Sequence, residues 1–550
     1  MSVSLTSTSA AAAIQAHTFA CQRSPDQDAA DPARHPVVIV GAGPVGLSLA
    51  IDLAQRGQRV LLLDDDDKLS TGSRAICFAK RTLEVWDRLG VGAAMCARGV
   101  EWQRGRVFYQ SEPLFHFDLL PEPGHERPAF INLQQFYAEA FLALRAAELS
   151  NLEIRWKHKV IGIEQRADQA LLKIDTPDGP YDLAADYVAA CDGSRSPLRS
   201  LIGQTSSVRV FRDRFLIADV RMQADFPSER WFWFDPPFHP GQSVLLHRQP
   251  DGVWRIDFQL GWDADPDEEK KIERIRPRVD ALMTAALGHP VPFELAWASV
   301  YTFACQRMEK FRHGRVLFAG DAAHGVSPFG ARGANSGVQD ADNLGWKLSA
   351  VLQGQAPDAL LDSYAFEREM AADENILQST RSTDFITPKS AISRLFRDAV
   401  LQLSRRHEFA RKLVNSGRLS LPSTLHGSAL NTPMLEAVQG AMVPGAAAAD
   451  APVQRPDGTP SWLLRELGSG AGSGFCLLVA GDFVLSAPNL CVLRLGHDLL
   501  DTQGLIAARY DLQAGGAVLL RPDQHVCARW RKPTAEAVQL AMQRALAKLP

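Results

Sequence analysis

Six residues, Gly41-Ala42-Gly43-Pro44-Val45-Gly46, follow an apolar run at Val37–Val40 and open a stretch of helical apolar spacing that ends at Gly57. A strand before it and a helix after it are what make a GxGxxG string a dinucleotide cradle. Gly41 permits the tight turn, Gly43 lets a pyrophosphate approach the backbone, and Gly46 lets the helix pack closely on its sheet. Pro44 suits the first helical turn, and the free N–H groups there, at Val45 and its neighbours, are aimed at phosphate oxygens. Asp64 closes a second apolar run, Val60–Leu63, and a carboxylate about 20 residues beyond the glycines is placed to accept hydrogen bonds from an adenosine ribose. Asp65, Asp66 and Asp67 read as a solvated acidic turn. The cradle alone does not separate FAD from NAD.

Two later segments carry more chemistry. One runs Asp186-Tyr-Val-Ala-Ala-Cys-Asp192-Gly193-Ser-Arg195-Ser-Pro-Leu-Arg199, an apolar strand ending in a carboxylate, a glycine turn and two cations. The other runs from Arg315 through Gly320-Asp321, Pro328 and Gly333-Ala334-Asn335 to Asp342-Asn343-Leu344. Together with the cradle these resemble the single-component FAD-dependent aromatic hydroxylases, the group of the p-hydroxybenzoate, phenol and 3-(3-hydroxyphenyl)propionate hydroxylases, over residues 36 to 385. The resemblance implies that Asp321, after Gly320, holds the FAD ribityl chain. It also implies that the loop at Pro328 lies beside the isoalloxazine and the substrate, and that the backbone at Gly333, Ala334 and Asn335 faces the flavin pyrimidine. The physical reason is general: reduction places negative charge on flavin N1 and the C2 carbonyl, and a helix N-terminus stabilises it. By the same resemblance Asp192 belongs to a motif that serves both FAD and nicotinamide, Arg74 lies near the pyrophosphate, where a guanidinium can fork two oxygens, and Gln135 contacts FAD. Neighbouring Gln134 leaves that register open. After Arg74 the chain reads Ile76-Cys77-Phe78, where many relatives carry a glycine in the loop that lets the flavin swing.

The implied activity is a monooxygenase. Reduced nicotinamide, NADH or NADPH, reduces FAD, O2 adds to give a C4a-hydroperoxide, and the ring of a phenol attacks its distal oxygen. The cofactor carries the hard chemistry, and the protein must exclude water and hold the ring. No general base is fixed by the sequence. Between the flavin loop and a middle sheet, the residues singled out are Trp231, Trp233, Phe234, His247, Arg248, Arg255 and Tyr301, with Pro328, Arg255, His247 and Tyr301 as the catalytic candidates. An aromatic stripe of period two is more often sheet core than pocket wall, whereas a cation there would point to an acidic substrate. A polyketide-type or other non-simple ring as substrate, or a non-catalytic FAD-binding redox sensor, are the alternative readings. A halogenase would need an isoleucine-proline after the tryptophan pair, which is absent. No Ser-His-Asp elbow, Walker loop or metal-ligand spacing occurs, so no metal site is expected.

The elements that must position these groups make an α/β chain. A Rossmann-type FAD-binding domain, residues 35–205 and 301–437, is interleaved with a mostly antiparallel substrate sheet, residues 206–300 with parts of 100–135. An Ala-, Pro- and Gly-rich stretch from Ala437 to Asp457 leads to a small α/β domain at 455–550, similar to the thioredoxin-like appendage of the phenol-hydroxylase branch. Thioredoxin chemistry needs a dithiol and no CxxC pair is present, so a structural role, at a homodimer contact, is expected there. Residues 1–34 read as a loosely packed tail without a secretory signal. The 550 residues, 46% hydrophobic, suffice for two or three cores. A net charge of -4 gives no field favouring nucleic acid or an anionic membrane, and no apolar run approaches the ~18 residues of a bilayer span. The eight scattered cysteines suit a reducing compartment, and the expected location is cytoplasmic.

Overall fold

A computed structural model of the chain describes residues 10–72, 75–414, 420–434, 439–468 and 474–549. The first sheet carries the glycine turn at Gly41. Its central path runs Arg312–His313, Val316–Phe318, Tyr181–Ala190, Ala33–Val40, Val60–Asp64 and Leu152–Trp156, parallel at every pair except the first. Val37, Val38, Ile39 and Leu61, Leu62, Leu63 are fully buried on both faces, which is why these strands read as unbroken apolar runs. The helices Pro44–Gln55 and Gly333–Leu352 pack on one another against this sheet.

The second sheet is antiparallel over most of its width, in the order His324–Gly325, Phe293–Met308, Ser206–Met222, Val253–Leu260, Ser243–Arg248, Arg230–Phe234, Arg104–Tyr109 and Glu112–Asp118; only the pair Arg230–Phe234 with Arg104–Tyr109 is parallel. Strand Phe293–Met308 runs through the boundary expected at residue 300, so one continuous strand belongs to both parts. A three-stranded sheet, Cys77–Ala79, Phe130–Asn132 and Val100–Trp102, stands between the two.

The C-terminal part has a four-stranded sheet in the order Leu490–Leu495, Phe475–Ala480, Ala517–Leu520, Val526–Trp530, the first pair parallel and the others antiparallel, with the helices Leu505–Tyr510 and Ala535–Ala545. Two expectations change here. Although no CxxC motif exists, the parallel register sets Cys476 directly beside Cys491, so a pair of thiols is brought together across strands. And the N-terminal segment, from Ala10 on, is packed rather than loose: Ala10 and Ile14 of the helix Ala10–Ala16 are buried in the main core, Phe19 stacks on Trp156 at 4.2 Å, and Asp26 bonds both Arg155 (2.6 Å) and His35 (2.9 Å). Its alanines and isolated aromatics carry too little periodicity to announce that docking.

Candidate active site

At the cradle each glycine has a distinct reason. Gly41 has φ +106°, and a Cβ there would stand 2.4 Å from the Cys191 carbonyl oxygen. A Cβ on Gly46 would stand 1.9 Å from the Gly41 carbonyl oxygen, whereas a Cβ on Gly43 would meet nothing within 4 Å. The first and third glycines are therefore demanded by the protein, and the second leaves open the space that a phosphate would take. Asp64 sits at the end of its strand with its carboxylate accepting from the N–H groups of Ala42 (2.5 Å) and Asp66 (2.9 Å). Burial pushes its pKa up to about 6, outweighing those two hydrogen bonds.

Gly41, Gly43, Asp64, His158, Asp192 and Gly193 line one cleft of about 260 Å³. Asp192 Oδ2 accepts from the Leu198 N–H at 2.9 Å, while its Oδ1 is buried without a partner. His158 Nδ1 donates to the Trp156 carbonyl (2.9 Å), which leaves its buried Nε2 a lone-pair acceptor without a partner. Orphaned acceptors of this kind are what a ribose and an adenine would satisfy. His158 was absent from the sequence reading; only its spacing just after strand Leu152–Trp156 could have pointed to it.

Gln135 starts the helix Gln135–Ala147 and accepts from the Ala75 N–H at 3.2 Å, beside the loop that carries Arg74. Gln134 instead donates to the Pro250 carbonyl (3.4 Å), away from that loop. Arg74 itself lies outside the described residues.

The segment Gly320 to Asn335 is braced from behind. Asp340, fully buried, accepts from the Gly320 N–H (2.9 Å), from His324 Nε2 (2.7 Å) and from Arg368 Nε (2.6 Å), and so fixes the turn that presents Asp321. At the other end of the loop, Ser327 Oγ bonds the hydroxyls of Ser379 (2.6 Å) and Thr383 (2.7 Å). Two hydroxyls of the helix Leu360–Ile386 thus anchor the residue before Pro328. Gly330 has φ +100° and Ala331 φ +51°, so the chain bends sharply before the helix Gly333–Leu352 begins. The Asn335 side chain turns away from the helix end. It accepts from the Ala79 N–H (2.8 Å) and Thr82 hydroxyl (2.7 Å) and donates to the Cys77 carbonyl (2.9 Å), tying strand Cys77–Ala79 to the helix. The departure from a glycine in this region is thus a braced strand.

On the substrate sheet, alternation separates the candidates. Trp233 belongs to the core on the outer face with Val279 and Leu282 of the helix Ile272–Leu287, and Trp231 packs against the same cluster. Arg248 is exposed, its carbonyl accepting from Asn132 Nδ2 at 2.7 Å. These three leave the site, because period two sends them to the far face. The facing surface holds a row of five residues on five adjacent strands: Arg230, His247, Arg255, Asp219 and Trp297. Arg255 makes a buried two-point ion pair with Asp219, Nε to Oδ1 2.8 Å and Nη2 to Oδ2 2.9 Å. The cation expected to select an acidic substrate is therefore already neutralised. His247 Nε2 bonds Asp257 Oδ2 at 3.2 Å, and burial together with Arg230 pushes its pKa down to about 4, so the ring is neutral near pH 7.

Beyond that row the face is aromatic. Phe329, the residue after Pro328, has ring centroids 5.0 Å from Phe215 and 5.3 Å from Phe303, in a cluster with Phe232, Phe234 and Leu245 and with Tyr301 at its margin. Phe234 and Tyr301 thereby share one row of the sheet with Phe215, two rows along the same face from His247, and Phe329 brings its neighbour Pro328 to that end.

The family model described as an FAD binding domain matches residues 34–379. The chain belongs to the single-component FAD-dependent aromatic hydroxylases. A 12-dehydrotetracycline 5-monooxygenase/anhydrotetracycline 6-monooxygenase of Streptomyces rimosus is 30% identical over 515 residues, covering 90% of this chain and 95% of that protein. A 3-(3-hydroxy-phenyl)propionate/3-hydroxycinnamic acid hydroxylase of Mycolicibacterium smegmatis is also 30% identical, but over 66% of this chain and 64% of its own length. Among solved structures, the anhydrotetracycline hydroxylase OxyS of Streptomyces rimosus aligns at TM-score 0.68 and 26% identity, covering 93% of this chain and 99% of that one. The flavin-dependent monooxygenase PieE, at 22% identity, shares the fold at TM-score 0.78 over 94% of this chain and 100% of that one. The protein is thus an FAD-dependent aromatic monooxygenase, and its open cradle and orphaned acceptors fit that cofactor. Among the described residues no helix is long and apolar enough to cross a membrane.

Proposed function

We propose that this hydroxylase acts on a phenolic ring within a polycyclic, polyketide-type substrate, using NAD(P)H and O2. The observation that carries the reading is the aromatic cluster of Phe215, Phe303 and Phe329, which joins the flavin loop to the substrate sheet. Such walls bury a broad flat ring system, and Arg255, the cation that could have held a short acid tail, is spent on Asp219. The near full-length likeness to tetracycline monooxygenases, against partial coverage by the phenylpropionate hydroxylases, supports the same choice.

When bound, FAD supplies the redox chemistry, taking reducing equivalents from the nicotinamide and delivering one oxygen atom of O2 to the ring. The cradle Gly41 to Gly46, with Asp64, Arg74, Gln135 and Asp192, would hold its adenosine and pyrophosphate side, and Asp321 its ribityl chain. The N-terminus of the helix Gly333–Leu352 would face the pyrimidine and oppose negative charge there. Pro328 and Phe329 would keep the ring against the flavin and water away from it.

Oxygen uptake and NAD(P)H oxidation by the FAD-loaded protein, measured with hydroxyanthraquinones and tetracycline-type phenols beside 3-(3-hydroxyphenyl)propionate and simple phenols, test this. Stimulation by the polycyclic phenols with formation of a hydroxylated product is expected. Preference for the simple acids would move the substrate class. A yellow protein that no phenol stimulates would favour the redox-sensor reading.

A further inference from the structure

Among the charged residues of the facing row, Arg230 is the one without a carboxylate in contact among the described residues. It is 5% exposed. Its Nη1 reaches Cys77 Sγ at 4.0 Å, its guanidinium stacks 5.2 Å from the Phe232 ring centroid and 5.9 Å from that of Trp102, and its Nε has no hydrogen-bond partner. The Cys77 thiol donates its proton to Asn132 Oδ1 (3.1 Å), so it offers the cation only a weak sulfur acceptor. A buried guanidinium in this state is costly to keep. A ligand anion would relieve it.

The next position along the row supplies the complement. His247 lies opposite Arg230, one residue beyond the Trp231–Leu246 pair. Its Nε2 bonds the Asp257 carboxylate, so that nitrogen carries the ring proton, and its buried Nδ1 is an acceptor with no donor. Asp257 Oδ1 is orphaned too. The charged and titratable groups facing His247 are Arg230, Arg255, Asp257, Asp219 and the Cys77 thiol, from three neighbouring strands of the substrate sheet and from strand Cys77–Ala79. A lone-pair acceptor beside an unpaired cation calls for a group that donates a proton and then bears negative charge.

We infer that Arg230 and His247 form the subsite for an ionisable ring hydroxyl of the substrate, His247 Nδ1 accepting its proton and Arg230 holding the oxyanion. The O–H bond breaks and an N–H bond forms at Nδ1; the imidazolium is opposed by Asp257 and the ring oxygen by the guanidinium, so charge balances without any further reactant. This rests on the hydroxylase reading and names what that site selects: rings whose hydroxyl is acidic enough to ionise there, which raises the nucleophilicity of the ring carbon.

Alizarin, a hydroxyanthraquinone that turns from yellow to red on losing a proton, is the probe, added to FAD-loaded protein and followed spectroscopically across pH. Wild-type protein is expected to bind it red, with the bound midpoint about 1–2 pH units below that in solution, as an adjacent cation imposes. R230Q and R230M should bind it with the solution midpoint, R230K with part of the shift, each at wild-type flavin content. H247Q should lose roughly 10²-fold of phenol-stimulated NADPH oxidation at pH 6 and recover it at pH 9, where the hydroxyl ionises unaided. Wild-type protein with no red bound form, or R230Q and R230M that still bind the red form with the wild-type shift, overturns the assignment. Anthraquinone-2-carboxylate that displaces alizarin from wild-type but not from R230M protein overturns it as well, marking Arg230 as a carboxylate clamp. Phenol-stimulated turnover without the colour shift would remove this subsite while leaving the hydroxylase reading intact.

Discussion

Arg521 and Glu367 form a fully buried ion pair, Nη1 to Oε1 2.7 Å, across the junction of the C-terminal sheet and the long helix Leu360–Ile386. Arg521 also holds Asp523 at 2.7 Å, and Glu367 also accepts from Lys347 and Asn343, each at 2.7 Å. Burial alone would raise the Glu367 pKa, but Arg521 and Lys347 outweigh it and hold the carboxyl well below its usual range. Removing one partner of such a pair leaves uncompensated buried charge. R521M is therefore expected to lower unfolding stability by roughly 3–5 kcal/mol, and R521K by less. Denaturant titration of the FAD-loaded protein checks this; R521M with wild-type stability would contradict it.

The cradle glycines separate folding from binding. G43A should give protein of wild-type thermal stability in the absence of FAD but with little bound flavin, because its methyl group meets only the space left for phosphate. G46A should fold poorly, since its Cβ would stand 1.9 Å from a carbonyl oxygen. Flavin absorbance and melting curves of the two variants, taken side by side, decide the matter.

FAD affinity should fall with acidity through Asp64. Its pKa is raised from 3.8 to about 6, so the folded protein without FAD takes up a proton there between those values, and this residue's contribution to stability declines as pH rises through that window. A ribose needs the ionised acceptor, and affinity for FAD is thus expected to drop as pH falls through about 6. D64N should weaken binding by about 1.5–3 kcal/mol near pH 7, the worth of hydrogen bonds to a charged group, and flatten the pH dependence. Fluorescence titration of the apoprotein with FAD from pH 5 to 8 measures both (roughly the range where a carboxylate so shifted titrates).

Much of the cofactor side was legible because its signals are local. The turn Gly41 to Gly46, Asp64 at a strand end, and Gly320-Asp321 each sit in a few consecutive residues whose types have one good use. Period two also announces that the strand Arg230–Phe234 has two faces, but not which one meets the flavin loop: Phe232 and Phe234 share the cluster of Phe329, while Trp231 and Trp233 pack on the opposite face. Asp340, His158 and Arg521 were illegible for another reason: their partners lie far along the chain, and a buried charge looks the same in sequence as a solvated one. The pairing of Cys476 with Cys491 depends on strand register, which no motif encodes.

That pairing makes Cys491 reactive. A hydrogen bond from the Cys476 thiol outweighs burial and lowers the Cys491 pKa to about 7, and the side chain is exposed. Near pH 7 a large fraction is thiolate, the form that alkylates. Iodoacetamide should label Cys491 first among the eight cysteines, and C476S should slow that labelling by raising the pKa again. Mass spectrometry of briefly treated protein reads the order; slow labelling of Cys491 in the wild type would refute it.

The junction around Arg521 also bears on how such proteins diversify. Arg81 donates to the Asp523 carbonyl, Asn343 to its carboxylate, and Glu367 pairs with Arg521, so the charged groups of the C-terminal part are held by residues some 150 to 440 positions earlier in the chain. A domain held in this way is not a cassette. Exchanging it with that of a relative would carry over Arg521 and Asp523 without Glu367, Lys347, Asn343 and Arg81, and the recipient would inherit half of a circuit; these six positions must change together or not at all.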